Sequence, residues 1–142
     1  MKLLSLLGLV LLMTLFVVHG EELSAWTNCG TKNDLFTISS ITVTPDIPTR
    51  GSAVNVTLVG QLHETVPSIM VKLQIKYNNK IVMEKDRDVC SKVKCPVAPG
   101  QYHHPIQTTL PSLAPAGKYT VHIFAISGEK TLACANIPLT IK

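Results

Sequence analysis

The chain has 142 residues, of which 46% are hydrophobic and 15% charged, and its 13 Lys and Arg against 9 Asp and Glu give a formal charge of +4. That length fits a single domain, and so small a positive balance excludes a dedicated nucleic-acid binder.

Lys2, the apolar run from Leu3 to Val18, and Gly20 ahead of Glu21 have the layout of a secretory signal peptide. The run is shorter than the ~20 residues of a membrane span, and no other stretch comes close. Cleavage after Gly20 is expected to leave residues 21–142 as one domain, with 12 basic and 9 acidic residues and a formal charge of +3. Four cysteines, Cys29, Cys90, Cys95 and Cys134, lie beyond the leader. In the oxidising secretory route they are expected to pair. Three connectivities are open, and spacing does not choose among them. Zinc would want a C-x2-C pair, and none is present.

The rest of the chain reads as strands and turns. Phe36, Ile38, Ile41 and Val43 are the apolar positions of a first strand, and Ser39-Ser40 breaks their alternation as a bulge would. Pro45 to Gly51 is a turn. Val54, Val56, Leu58 and Leu62 alternate with Asn55, Thr57 and Gln61, the pattern of a half-buried strand. Ile69, Val71, Leu73, Ile75 and Tyr77 do the same. Asn78-Asn79-Lys80 is a hairpin turn into Ile81-Val82-Met83. Tyr102 to Leu110 is a further strand, followed by a proline-rich loop to Gly117. Tyr119, Val121, Ile123 and Ala125 form one face of the next strand. Ser127 to Lys130 turns it into the last, Leu132 to Ile141. About seven short strands without a convincing helix predict an all-β, immunoglobulin-like sandwich of two sheets. Trp26 precedes the first strand and the cysteines fall toward strand ends. The interior is therefore aliphatic and has no cross-link through its middle. Such a sandwich can open between its sheets for an apolar guest, although the same residues also make an ordinary packed core.

Asn28-Cys29-Gly30, Cys90, Cys95-Pro96-Val97 with Gly100, Gly117 to Val121, and Cys134 together resemble the ML lipid-recognition family in order and spacing. That family includes the Niemann-Pick type C2 sterol carrier and the fungal phosphatidylglycerol/phosphatidylinositol transfer proteins. The resemblance implies pairing of Cys29 with Cys134 and of Cys90 with Cys95. It also implies a lipid cavity between the sheets holding a phospholipid or sterol. Pro45 to Pro48 stand where the sterol carrier has a further cysteine pair.

If the strand registers hold, the cavity wall comprises Leu58, Val71, Leu73, Ile75 and Ile106, together with Leu110, Val121 and Ile123. Val82, within Ile81 to Met83, and Leu113, within Leu113 to Pro115, are expected at the entrance. Lys72, Lys76, Lys80, Lys85, Arg87, Lys92 and Lys94 outnumber the acids in their stretch, either as a docking patch for anionic membranes or as lysines that blunt a sheet edge. Asn55-Val56-Thr57 is a glycosylation sequon on an outward position. No hydrolase or metalloprotease motif occurs, and His103 and His104 point to opposite faces of one strand. The histidines therefore read as surface or strand-end residues, with no catalytic group, metal or cofactor. The expectation is a monomeric, non-enzymatic lipid carrier in the secreted or endolysosomal space, making transient contact with membranes. A lipid-sensing module that acts as a receptor's co-ligand and an adhesion sandwich with a solid core are the alternatives.

Overall fold

The computed structural model describes residues 25–142, and the leader predicted over residues 1–20 lies outside them. The described residues form eight strands: β1 Thr27–Asn28, β2 Phe36–Thr44, β3 Ala53–Leu62, β4 Met70–Tyr77, β5 Lys80–Asp88, β6 Gly100–Thr109, β7 Gly117–Ser127 and β8 Lys130–Ile141. One 3-10 turn, Val89–Ser91, follows β5. The strands make two antiparallel sheets, one of five strands in the order β1-β8-β7-β4-β5 and one of three in the order β2-β3-β6.

This is the expected two-sheet sandwich, with two differences in its strand inventory. β1 is a two-residue strand, too short for any periodicity to announce it, and it pairs with Ala135 and Asn136 of β8. β5 runs through Glu84 to Asp88 beyond its apolar start. As an edge strand it is mostly exposed, so it has little need of an alternating apolar row. The bulge in β2 falls between Ile38 and Ser40. Asn78 and Asn79 take φ of 50° and 61°, the left-handed pair that closes a two-residue hairpin and that Asn tolerates better than other side chains. Close approach matters at Gly60, where a Cβ would collide with the Phe36 ring and the Thr37 carbonyl.

Alternate residues of each strand face inward, yet the interior does not form one continuous core. A large cluster gathers Ile41, Val43, Val56, Leu73, Ile137 and Leu139 with their neighbours. A smaller one, Leu62, Val66, Val97 and Leu132, closes one end of the sandwich. The reason for the division lies in two strands. The inward row of β8 reads Ile141, Leu139, Ile137, Ala135, Ala133, and that of β7 reads Tyr119, Val121, Ile123, Ala125. Both rows taper from large to small toward the second cluster. Three alanines cannot fill the space that three larger aliphatics would.

Two disulfides tie the ends down. Cys29–Cys134 closes a separation of 105 residues and fixes the entry segment to β8, while Cys90–Cys95 spans 5 residues in the loop between β5 and β6. Chain-entropy arguments assign about 4–5 kcal/mol to the long closure and about 2 kcal/mol to the short one. Urea unfolding of Cys29→Ala/Cys134→Ala is therefore expected to show at least twice the stability loss of Cys90→Ala/Cys95→Ala. Equal losses would mean that loop length does not govern either bond.

Candidate functional site

Between the two clusters lies a cavity of about 250 Å3. Its floor is Ala125, Ala133 and Ala135. Its walls include Ile38, Leu58, Val71, Ile106 and Ile123, and its closed end is made by Phe36, Leu62, Val97 and Leu132. The rim is Val93, Lys94, Pro96 and Ala98 of the loop before β6, together with Tyr102, His103 and His104 of β6. A void of about 10 Å3 lies deeper between the sheets, lined by Leu73, Ile75, Leu110 and Val121, and Ile106 belongs to both spaces. Beyond it a groove of about 210 Å3 opens among Val82, Leu113, Pro115 and Tyr119, with Ile75 and Leu110 as the shared wall. The three spaces follow the strand direction, from the Val71 end of β4 to the Tyr77 end. A surface depression of about 450 Å3 lined by Gly30, Thr31, Asn33, Asp34 and Lys130 lies off this line and meets the cavity lining only at Cys134.

The ten residues anticipated from sequence are thus distributed along one line. Leu58, Val71, Ile106 and Ile123 surround the cavity. Leu73, Ile75, Leu110 and Val121 line the constriction. Val82 and Leu113, 55% and 92% exposed, lie at the far groove, whereas the rim of the larger cavity is at the opposite end. The alanine floor was legible as small residues at inward parity in Ala125, Ala133 and Ala135. Val93, which is 42% exposed beside the cavity, sits in a loop that carries no periodicity.

Charge is sorted across β5. Residues opposite one another in an antiparallel pair share a face. Asp86 faces Lys72, and Glu84 faces Gln74 and accepts its side-chain hydrogen bond at 3.0 Å, both on the outer face. Arg87 and Lys85 stand opposite Val71 and Leu73, which are inward positions. The open side of the sandwich between β5 and β6 therefore carries cations, while the acids lie behind. Arg87 Nη2 donates to the Gln107 carbonyl at 2.6 Å, a hydrogen bond that crosses from one sheet to the other. Lys94 joins this row at the cavity rim. None of the three makes an ion pair among the described residues, where Lys130–Glu64 is the salt bridge found.

The histidines separate as strand geometry requires, and one of them is half-buried. His103 is exposed, His104 shares the inward parity of Ile106, and both border the cavity. The inward row assigned through Ile106 and Leu110 already carried this placement. His104 Nε2 is the buried side-chain nitrogen or oxygen that has no hydrogen-bond partner among the described residues. Burial holds the imidazole below its ordinary pKa, and the positive charge of Arg87 adds to the effect. His63 bonds Thr37 Oγ1 at 2.6 Å and His122 bonds Asn136 Oδ1 at 2.7 Å. His122 also lies beside Cys29 and Cys134, but both sulfurs are committed to their disulfide. Asn55 is exposed on β3, opposite Thr44 and Gln107.

Residues 24–141 match the family described as ML domain. Over 121 residues the chain is 35% identical to "Putative phosphatidylglycerol/phosphatidylinositol transfer protein 2" of Dictyostelium discoideum, covering 82% of this chain and 84% of that one. It is 31% identical over 129 residues to a phosphatidylglycerol/phosphatidylinositol transfer protein of Cryptococcus neoformans, covering 84% and 72%. In fold it resembles the crystal structure of a Niemann-Pick type C2 protein from Japanese carpenter ant, with TM-score 0.68, 16% identity and coverage of 82% of this chain and 98% of that one.

Acidification tests the placement of His104. A base whose pKa is depressed by folding leaves the unfolded chain binding more protons, so stability rises with pH through that window. The contribution is complete above the ordinary histidine value of about 6.5 and is lost as the pH falls below it. Between about pH 7 and about pH 5, the thermal midpoint of the wild type is expected to drop further than that of His104→Leu. Parallel curves for the two proteins would show that the imidazole is not buried in its neutral form.

Proposed function

The chain belongs to the ML domain family, and on that premise we propose that it is a lipid carrier that lodges the acyl chains of an anionic glycerophospholipid between its sheets and exchanges that lipid between membranes. The observation that carries the reading is the apolar cavity held open between two packed clusters by an alanine floor. A solid-core adhesion domain has no use for such a hollow. The names of the relatives support a phospholipid over a sterol.

The energetics suit exchange. A methylene gains roughly 0.8 kcal/mol on leaving water, but a tail drawn from a bilayer was already in hydrocarbon. A carrier has only to match the membrane, and an aliphatic slot without catalytic groups does so. Pockets for small molecules typically measure about 300–1,000 Å3, so a cavity of about 250 Å3 must widen to take two chains. The open side between β5 and β6 is the place for it. There, few interactions bridge the sheets, and the Arg87–Gln107 hydrogen bond can reform with water or a headgroup.

Docking follows from the same rim. Val93 lies between Lys92 and Lys94 in sequence and is partly exposed at the cavity, and Lys85 and Arg87 face the same open side from β5. A basic residue near an anionic leaflet contributes about 1 kcal/mol, and a partly exposed valine adds apolar contact. The far groove at Val82 and Leu113 takes the distal end of a chain once the constriction at Leu73 and Val121 yields. Routing through the secretory pathway to a lumenal or extracellular space, a glycan on Asn55 and action as a monomer complete the reading. The two disulfides are in keeping with an oxidising compartment.

Transfer of labelled phosphatidylglycerol between donor and acceptor vesicles is the direct test. The wild type is expected to accelerate transfer, and Ala135→Leu, which fills the cavity floor, to abolish most of it without loss of thermal stability. Lys85→Ala/Lys94→Ala is expected to weaken binding to phosphatidylglycerol vesicles by roughly tenfold or more, with little further weakening by salt. Stoichiometric lipid binding without any transfer would favour a sensing module. No lipid bound, even after incubation with vesicles, would overturn the reading.

A further inference from the structure

We propose that His104 reads the polar neck of the bound lipid, its Nε2–H donating a hydrogen bond to an ester carbonyl of a glycerophospholipid whose chains occupy the cavity. The inference rests on the carrier reading above and assigns it a specificity-determining residue.

Three chemistries succeed one another along this wall. Ile106, 2% exposed, is the apolar neighbour deeper in the sandwich. His104 comes next on the same inward row of β6, opposite Leu58 of β3. Lys94 stands at the rim and is exposed, and Arg87 lies close enough to act electrostatically on the imidazole. A glycerophospholipid presents the same succession, from hydrocarbon to ester carbonyl to phosphate. Aligned with its tails inward, it sets hydrocarbon against Ile106, carbonyl against His104 and phosphate toward the cations.

The imidazole is available for this role. A buried polar atom without a partner is costly to the fold, and native structures rarely leave one without a reason. Tyr102, the neighbouring inward polar side chain, already donates its hydroxyl to the Ala98 carbonyl. Nε2 has no such partner. A neutral imidazole suits an ester: it supplies one directed donor without placing a full charge among aliphatic side chains. A cation at this position would instead favour the phosphate and draw the headgroup into the cavity.

The test compares dissociation constants for diacyl phosphatidylglycerol and its chain-matched dialkyl ether, which keeps the headgroup and lacks both carbonyls. One hydrogen bond of ordinary strength predicts that the wild type binds the diester about three- to tenfold more tightly. His104→Leu is expected to bind the two lipids equally, near the wild-type affinity for the ether, with an unliganded thermal midpoint at neutral pH no lower than wild type. His104→Gln, which restores an amide donor, is expected to recover part of the preference and serves if the leucine variant folds poorly. A structural role alone would lower the midpoint and leave selectivity untouched. Equal wild-type affinity for ester and ether, or a preference that survives His104→Leu, overturns the inference. Failure of the wild type to bind either lipid instead overturns the carrier reading beneath it.

Discussion

A β-sandwich is stable because the apolar rows of its two sheets interlock at close-packed density. In this protein the interlock is graded along the strands. Where β7 and β8 offer Tyr119, Val121, Leu139 and Ile141, the sheets meet in a continuous core. Where they offer Ala125, Ala133 and Ala135, the facing residues of β2, β3 and β6 do not reach across, and the cavity results. The hollow does not collapse because the end beyond it is built independently. Val66 and Val97 pair through reciprocal backbone hydrogen bonds of 3.0 and 2.9 Å, Leu62 and Leu132 pack beside them, and Cys90–Cys95 secures the loop that brings Val97 there. The cavity is a gap between two separately stabilised blocks.

That division leaves the side between two edge strands beside the cavity rim. The five-stranded sheet ends in β5 and the three-stranded sheet in β6, so both strands bordering the open side are edges. The opposite side is drawn together where β2 approaches β8, while Cys29–Cys134 fixes the entry segment to β8 within the five-stranded sheet. Parting the sheets at β5 and β6 breaks the Arg87–Gln107 hydrogen bond and uncovers the inward faces of Ile106 and Val71. The cations on the inward face of β5 also serve two ends. They discourage another chain from pairing with an exposed edge, and they give that edge an attraction for anionic lipid. In sequence these looked like competing explanations. With Lys85 and Arg87 turned toward the cleft and Glu84 and Asp86 turned away, one arrangement is compatible with both.

Periodicity made most of the fold readable, because an inward row of Val, Ile and Leu repeating every second residue has few other meanings. The bulge at Ser39-Ser40 and the Asn78-Asn79 turn were readable for equally local reasons. The site was harder. Four of the ten anticipated residues line the cavity, since large aliphatics mark where a sandwich is filled. The absence of volume marks where it is empty. The informative letters were the alanines of β7 and β8, which hydrophobic patterning treats as weak versions of valine. Whether tapering rows leave a void also depends on what faces them across the sandwich, and that requires the register of both sheets. Val93 and Lys94 acquire their position from the short Cys90–Cys95 closure and from a long-range bridge, Val66 to Val97, and the second of these is not a local signal.

His104 shows how such a site sits close to the boundary between stability and binding. In a fully packed sandwich an inward imidazole with no partner would be a defect, and an aliphatic residue would serve the fold better. At the neck of an opening it has a different standing. The cost of leaving Nε2 unpaired is borne by the empty state and relieved when a lipid supplies an acceptor. Part of the binding free energy thereby becomes selective for what lies at the junction of tail and headgroup. The tails cannot provide that discrimination, since one methylene resembles another and the membrane offers them an equally good solvent. A carrier that must release its cargo keeps tail binding near parity with the bilayer. Its choice among lipids then falls to the few polar contacts at the rim, where His104, Arg87 and Lys94 are placed.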